Sequence, residues 1–195
     1  MNFNESRTKI NLLKAFAGES QARNRYTFAA AQAHRQNLYV VEAAFNFTAG
    51  QEKDHALIFY NFLSSAAGEN IKIEGTYPID INDSMIQLLK SAHHNEFEEY
   101  GDVYPSFAET AKNEGFAEIS EAFRKIADIE KTHGERFLKL ATLLEEGKLF
   151  VSDISTRWMC LNCGFVFEGT AVPPSCPVCH HDRGYFVRLE MIEAK

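Results

Sequence analysis

Two short patterns in this chain have the makings of metal chemistry. Glu52-Lys53-Asp54-His55 and Glu130-Lys131-Thr132-His133 are both Glu-x-x-His. On a helix, the i, i+3 spacing puts carboxylate and imidazole on one face. The copies lie 78 residues apart, and each follows a further glutamate at nearly the same offset: Glu19 is 33 residues before Glu52, and Glu96 is 34 before Glu130. One Glu from each of two helices, plus one Glu-x-x-His from each of two others, is the ligand set of di-iron and di-manganese carboxylate bundles. Such hard donors suit first-row metals with open positions. Glu99 adds a carboxylate one turn after Glu96. A lone Glu-x-x-His reads as solvated helix surface. Here there are two in corresponding places, and Ala49, Ala56, Ile126 and Phe137 recur at helical spacings around them, so the ligand face points inward.

Formal charge favours metal at this face. Glu19, Glu52, Glu96, Glu99 and Glu130 together carry −5, and burying even one unpaired carboxylate costs several kcal/mol. Two divalent metals leave −1, and two trivalent metals with an oxide bridge leave the same, so one ligand set can hold both redox states. Tyr26 lies two turns beyond Glu19 and Tyr104 eight residues beyond Glu96, each placed either to hydrogen-bond the site or to fill the core. Arg23, one turn after Glu19, either screens carboxylates or is simply exposed.

A second metal pattern is confined to the end of the chain. Cys160-Leu-Asn-Cys163 and Cys176-Pro-Val-Cys179 contain all four cysteines, with 12 residues between the pairs. Paired Cys-x-x-Cys knuckles make a tetrahedral four-thiolate site for zinc or iron. Spacing does not decide between a structural zinc ribbon and an iron centre that carries single electrons. Cys176-Pro-Val-Cys179-His180 also fits the haem-attachment pattern, but that reading would orphan Cys160 and Cys163.

These donors require particular elements. Four helices are expected over about 5–35, 38–66, 83–112 and 116–146, with a turn at Asn37, a stop at Gly68-Glu69-Asn70 and another at Gly147. Residues 71–81, with β-branched residues, Gly75 and Pro78, form a non-helical crossover, and Pro105 should kink or interrupt the third helix. Two helical hairpins joined by one long crossover make a ferritin-like four-helix bundle over 1–147. Residues 148–157 then read as a linker of about 33 Å when extended, and 158–195 as a small module held by its metal.

The 195 residues are 45% hydrophobic and 24% charged with a net charge of −7, ordinary for a folded protein. Without a basic block, nucleic-acid or anionic-membrane partners are not expected. No run approaches the roughly 18 apolar residues of a membrane span. Met1-Asn2-Phe3-Asn4-Glu5 lacks the pattern of a signal peptide, so a cytoplasmic protein with reduced thiols is expected.

Trp158-Met-Cys160-Leu-Asn-Cys163-Gly-Phe-Val-Phe-Glu-Gly169, followed by Cys176-Pro-Val-Cys179, closely resembles a rubredoxin-like module. Behind a bundle with the glutamate and Glu-x-x-His repeat, the whole chain resembles the rubrerythrin family. The resemblance implies a non-haem di-iron peroxidase that reduces hydrogen peroxide to water and protects an anaerobe or microaerophile from oxidative stress. It implies di-iron ligation by Glu19, Glu52, Glu96, Glu99, Glu130 and His133, with His55 replacing Glu99 on one iron when the site is reduced. Tyr26 and Tyr104 match tyrosines close to that site, and Cys160, Cys163, Cys176 and Cys179 match the ligands of a single iron. It further implies a head-to-tail homodimer and an electron donor such as rubredoxin or an NAD(P)H-dependent reductase. His93, one turn before Glu96, reads as an outer residue beside His94 and Glu98; His34, His180 and His181 match no ligand and read as solvated. Two other functions compete: a ferroxidase that stores iron, and a binding module stiffened by structural zinc.

Overall fold

The computed structural model describes residues 1–192; the last three residues of the expected 158–195 module lie outside them. Ser6 starts the first long helix. Its hydroxyl accepts from the Lys9 N–H at 3.1 Å, satisfying a donor that the first helical turn leaves free. Helix α1 then runs Arg7–Arg35. Asn37, in the left-handed region at φ 56°, turns the chain into α2, Tyr39–Phe62. The helix ends before the expected residue 66 because Ser64–Ala66 tighten into a 3-10 turn.

Residues 69–84 form the crossover, with no helix or strand. Ser84 caps α3, Met85–Glu98. The third expected helix is in fact three pieces: α3, a π-helical turn over Glu99–Val103, and α4, Tyr104–Asn113. Pro105 explains the break. It sits in the first turn of α4, where its missing N–H costs nothing; inside a continuous α-helix its ring would clash with the carbonyl four residues back. Helix α5, Ala117–Glu145, ends at Gly147, where the Lys148 N–H closes on the Leu143 carbonyl at 2.7 Å.

The helices pair as two hairpins, α1 with α2 and α3–α4 with α5. Glu114, just past α4, ties them together by accepting from the N–H groups of Arg7 (3.0 Å) and Thr8 (2.8 Å) at the start of α1. Two apolar cores fill the bundle. One centres on Phe45 and Phe137 with Tyr26, and the other on Phe59 and Phe123 with Tyr104. Each fully buried Phe contributes about 1.5–3 kcal/mol relative to exposure. The polar ligand face lies between these cores, where water is scarce.

The expected linker is structured instead. Residues 151–157 belong to β1, Val151–Cys160, which pairs antiparallel with β2, Val166–Ala171, and with β3, Phe186–Arg188. The sheet order is β2-β1-β3. Strand pairing explains the difference: Val151 lies opposite Ala171, and Thr156 and Arg157 lie opposite Gly169 and Glu168, with a bulge or irregularity between, so the supposed linker is drawn into β1. The module rests on the α1–α2 turn of its own bundle. Tyr39 and Tyr185 stack at 4.0 Å, and Leu149, Phe150 and Val187 join the core that holds Phe137 and Leu140. Tyr39 precedes Glu52 by 13 residues on α2, which sets the module about 20 Å along the bundle from the ligand face.

Candidate metal centres

In the bundle, two groups of four donors come together, Glu19, Glu52, His55 and Glu130 in one and Glu52, Glu96, Glu130 and His133 in the other, with ligand atoms in each within 4.8 Å of one another. Glu52 and Glu130 belong to both. Glu52 presents Oε2 to His55 Nδ1 (3.2 Å) and Oε1 to His133 Nδ1 (3.0 Å). Glu130 presents Oε1 to His55 (3.0 Å) and Oε2 to His133 (2.8 Å). Each of these carboxylates therefore spans two positions, the geometry of a bridging ligand. Glu19 completes the first position, 3.9 Å from His55, and Glu96 the second, 3.5 Å from His133.

The tyrosines complete the pattern across the two hairpins. Tyr26 on α1 donates to Glu96 Oε1, and Tyr104 at the start of α4 donates to Glu19 Oε1. Each terminal carboxylate thus spends one oxygen on a phenol. Its other oxygen, Glu96 Oε2 or Glu19 Oε2, is buried and makes no well-aligned hydrogen bond, and the same holds for Glu52 Oε1, both oxygens of Glu130 and His133 Nδ1 despite their short separations. Buried polar atoms in native proteins are nearly always satisfied. A set of orphaned carboxylate oxygens and one imidazole nitrogen converging on two points is what a pair of cations would satisfy, so the residues fit the di-metal pair. Gln51 supports the site from outside: His133 Nε2 lies 3.1 Å from its Oε1, and a proton on Nε2 leaves Nδ1 as the metal-facing lone pair.

Protonation shows the same need for positive charge. Burial raises the carboxyls of Glu19 and Glu130 well above their usual range, and the other glutamates raise them further. Burial also raises Glu52, but contacts with His133 and His55 outweigh it and bring that carboxyl down to about 2. Burial lowers His133, yet contacts with Glu130, Glu52 and Glu96 outweigh it and raise the imidazole to about 11. Metal ligands must be deprotonated, so a cation bound here would take the place of protons at these donors.

Glu99, expected as a fifth ligand, lies outside both groups. It sits on the π-helical turn, and its Oε1 approaches Gly18 of α1. There it lines a cavity of about 350 Å³ with Tyr77, Arg25, Asn95 and Tyr104. His93 is an outer residue: it accepts from or donates to nothing in the ligand set, but lies 3.0 Å from the Gly134 carbonyl and packs on Phe97 at 4.4 Å. His94 is exposed beside Glu98, His34 pairs with Glu42 at 2.9 Å, and Arg23 is exposed. Sequence reasoning did not find Gln51, Arg25 or Asp80, because isolated Gln, Arg and Asp residues carry no pattern that separates them from helix surface.

In the module the four cysteines form one group. Cys160 and Cys179 sulfurs are 3.7 Å apart, and Cys163 and Cys176 sulfurs 3.6 Å. Metal–sulfur bonds of about 2.3 Å in a tetrahedron give an edge of about 3.8 Å, so the thiols fit one ion. The knuckles are built alike. Gly164 (φ 76°) and His180 (φ 63°) each follow a second cysteine in the left-handed region, and their N–H groups return to the Cys160 and Cys176 carbonyls at 2.8 and 2.9 Å. His180 thus shapes a knuckle through its backbone, and four thiols gathered at one point argue against the haem-attachment reading, which would orphan Cys160 and Cys163. His181 is not simply solvated: Nδ1 lies 3.1 Å from the Cys179 carbonyl and its ring meets Tyr185 edge-on. The His181 amide helps to bring the Cys179 thiol down to about 6, while burial and the neighbouring thiols push Cys163 up to about 12.

Comparison with known proteins agrees with both centres. The family model described as rubrerythrin matches residues 11–141, and the rubrerythrin rubredoxin-like domain matches residues 158–187. The chain is 43% identical to a rubrerythrin of Clostridium perfringens over 93% of each chain. It is 42% identical to a rubrerythrin of Nitratidesulfovibrio vulgaris, covering 94% of this chain and 95% of that one. A solved structure of nigerythrin in its fully reduced, all-ferrous state superposes with a TM-score of 0.63 at 26% identity, covering 95% of this chain and 91% of that one. With both parts of the chain matched and relatives above 40% identity along nearly all of it, the chain belongs to the rubrerythrin family, and its cofactor is iron.

Proposed function

We propose that the chain is a non-haem di-iron peroxidase that reduces hydrogen peroxide to water and so protects its cell from oxidative stress. The observation that carries the reading is the pair of four-donor groups sharing Glu52 and Glu130, buried beside a cavity that Glu99 and Tyr104 line, in a chain that also carries a four-thiolate site. One peroxide and two protons take up two electrons and become two waters. When bound, the iron pair supplies those two electrons and Lewis acidity toward the peroxide oxygens.

The protein's own groups do the rest. Glu52 and Glu130 set the spacing of the two positions. Tyr26 and Tyr104 hold Glu96 and Glu19 against rotation. The cavity admits a molecule of peroxide size, and the flanking aromatic cores keep bulk water from the donors. In this reading Glu19, Glu52, His55, Glu96, Glu130 and His133 are ligands, and Glu99 exchanges with His55 between redox states. Cys160, Cys163, Cys176 and Cys179 hold the iron that returns electrons singly, supplied by rubredoxin or an NAD(P)H-dependent reductase.

Within one chain the module meets α2 at Tyr39, about 20 Å along the bundle from the ligand face. A head-to-tail homodimer would bring the cysteine module of one copy to the bundle of the other. Exposed Phe28, Phe47, Leu57, Ile58 and Tyr60 on α1 and α2 supply apolar surface for that contact. The test is anaerobic metal counting followed by stopped-flow oxidation. Three irons per chain, with the ferrous protein oxidised faster by peroxide than by dioxygen, is the expected result. Faster oxidation by dioxygen, with mineral retained, would point to iron storage, and zinc at the cysteines with an empty bundle to a structural ribbon.

A further inference from the structure

The cavity beside the bundle site is lined by the Glu99 carboxyl and by Arg25, a guanidinium whose donors are not all satisfied. The Glu99 carboxylate makes no hydrogen bond or ion pair with any of the described residues, and it faces a cavity that Arg25 also lines. Arg25 comes from α1, with its Nε 3.4 Å from Asp80 Oδ2. Asp80, on the crossover, is itself fixed by the Asn95 amide at 2.7 Å. Yet Arg25 Nε and Nη1 are buried and find no acceptor in hydrogen-bond geometry. Leaving buried guanidinium donors unsatisfied is costly. Asp80 occupies one side of the guanidinium fork and leaves another side open, and a fork of this shape can serve two carboxylates at once.

We propose that Arg25 is a positioning residue which draws the Glu99 carboxylate off the metal pair and into the cavity, leaving the ligand place to His55. Asp80 and Asn95 hold the guanidinium in place, so the crossover sets the balance between Glu99 and His55. The inference rests on the bundle holding iron and not on peroxide being the oxidant. A protein that loads iron but ignores peroxide would refute the function above and leave this inference standing.

The experiment is a cycle of four full-length iron-loaded proteins: wild type, Arg25→Gln, Glu99→Gln and the double variant. Iron per chain and the midpoint potential of the bundle site are measured for each. Without Arg25, Glu99 returns to the metals, and its negative charge favours the ferric state. Arg25→Gln should therefore change the ferric-to-ferrous ratio at least tenfold toward ferric, a fall of about 59 mV per electron. In the Glu99→Gln background the same substitution should produce no fall, because the group it controls is gone. An unchanged potential in Arg25→Gln would overturn the proposal. So would an equal fall in both backgrounds, which would make Arg25 merely a nearby charge. If Arg25→Gln does not fold, Arg25→Lys replaces it. It keeps the charge without the fork, and the same dependence on Glu99 is required of it.

Discussion

Gly134 lies where α5 closely approaches α3, two helices that carry the second metal position, and Gly134→Ala makes that closeness measurable. Gly134 follows His133 on α5 and faces Phe97, which follows Glu96 on α3. An added Cβ would lie 2.6 and 2.7 Å from Phe97 Cδ2 and Cε2, and 3.2 Å from Glu96 Cβ. Carbon atoms pack comfortably at about 3.5–4.0 Å, so relief requires a movement of about 1 Å. Alanine regains about 1 kcal/mol of helix propensity, against about 1–3 kcal/mol for overpacking. The metal-free protein should lose no more than about 2 kcal/mol. The effect on metal is sharper. His133 Nδ1 and Glu96 Oε2 are 3.5 Å apart, and two bonds of about 2.1 Å can span at most about 4.2 Å. Separation of α3 from α5 by about 1 Å takes the pair out of reach of one ion. Anaerobic iron(II) titration, with bundle iron counted apart from cysteine-bound iron, should show at least a tenfold weaker second site in the variant. The reasoning fails if Gly134→Ala binds both irons with wild-type affinity and melts higher than wild type. Phe97 would then have swung aside at no cost, despite its packing on His93.

Other parts of the structure make separate predictions. Burial raises the Glu114 carboxyl, but hydrogen bonds from Thr8 and from the Arg7 and Thr8 amides outweigh it and lower the carboxyl below its usual 4.5. A lowered folded-state value stabilises above 4.5 and loses that contribution as pH falls through the folded value. Glu114→Gln should therefore cost about 1 kcal/mol at neutral pH, and the melting gap from wild type should close below pH 4.5; an unchanged gap in acid would refute the capping role. Gly184→Ala would place a Cβ 2.0 Å from the Asn37 carbonyl oxygen, a backbone atom that no rotamer change can move aside. It should undock the module at a cost of about 1–3 kcal/mol, seen as a lower melting temperature and protease cleavage near Gly147; a wild-type digest would show that this contact does not hold the module. Cys160→Ser should abolish turnover with an external reductant yet spare a single oxidation of pre-reduced bundle iron. Loss of both would end the proposed division of labour between the centres.

The donors were legible in the sequence because their spacing is local. Glu52 with His55 and Glu130 with His133 share a helix face by backbone geometry alone, and each Cys-x-x-Cys closes its own knuckle. Helix boundaries held to within a few residues wherever a cap or a glycine marked them, as at Ser6, Asn37 and Gly147. The third helix was harder. Pro105 signalled an interruption, but its form, a π-helical turn over Glu99–Val103, depends on how the chain absorbs the missing N–H while still packing on α5. The supposed linker failed for a related reason: residues 151–157 have no strong strand pattern of their own, and it is β2 that draws them into a sheet.

By itself, then, the sequence pointed to two sets of candidate metal donors, one in the bundle and one in the cysteine module, and to the helix that carries each bundle donor. Only the tertiary structure decided that Glu52 and Glu130 each face both histidines, and that Tyr26 serves Glu96 while Tyr104 serves Glu19. It also decided that Glu99 stands aside with Arg25 in a cavity beneath the crossover. The reason is physical. Spacing along one helix sets angles about that helix's own axis, whereas contacts between helices depend on their rotation and separation. Those are set by the whole core, down to a glycine at position 134 that lets α3 and α5 approach.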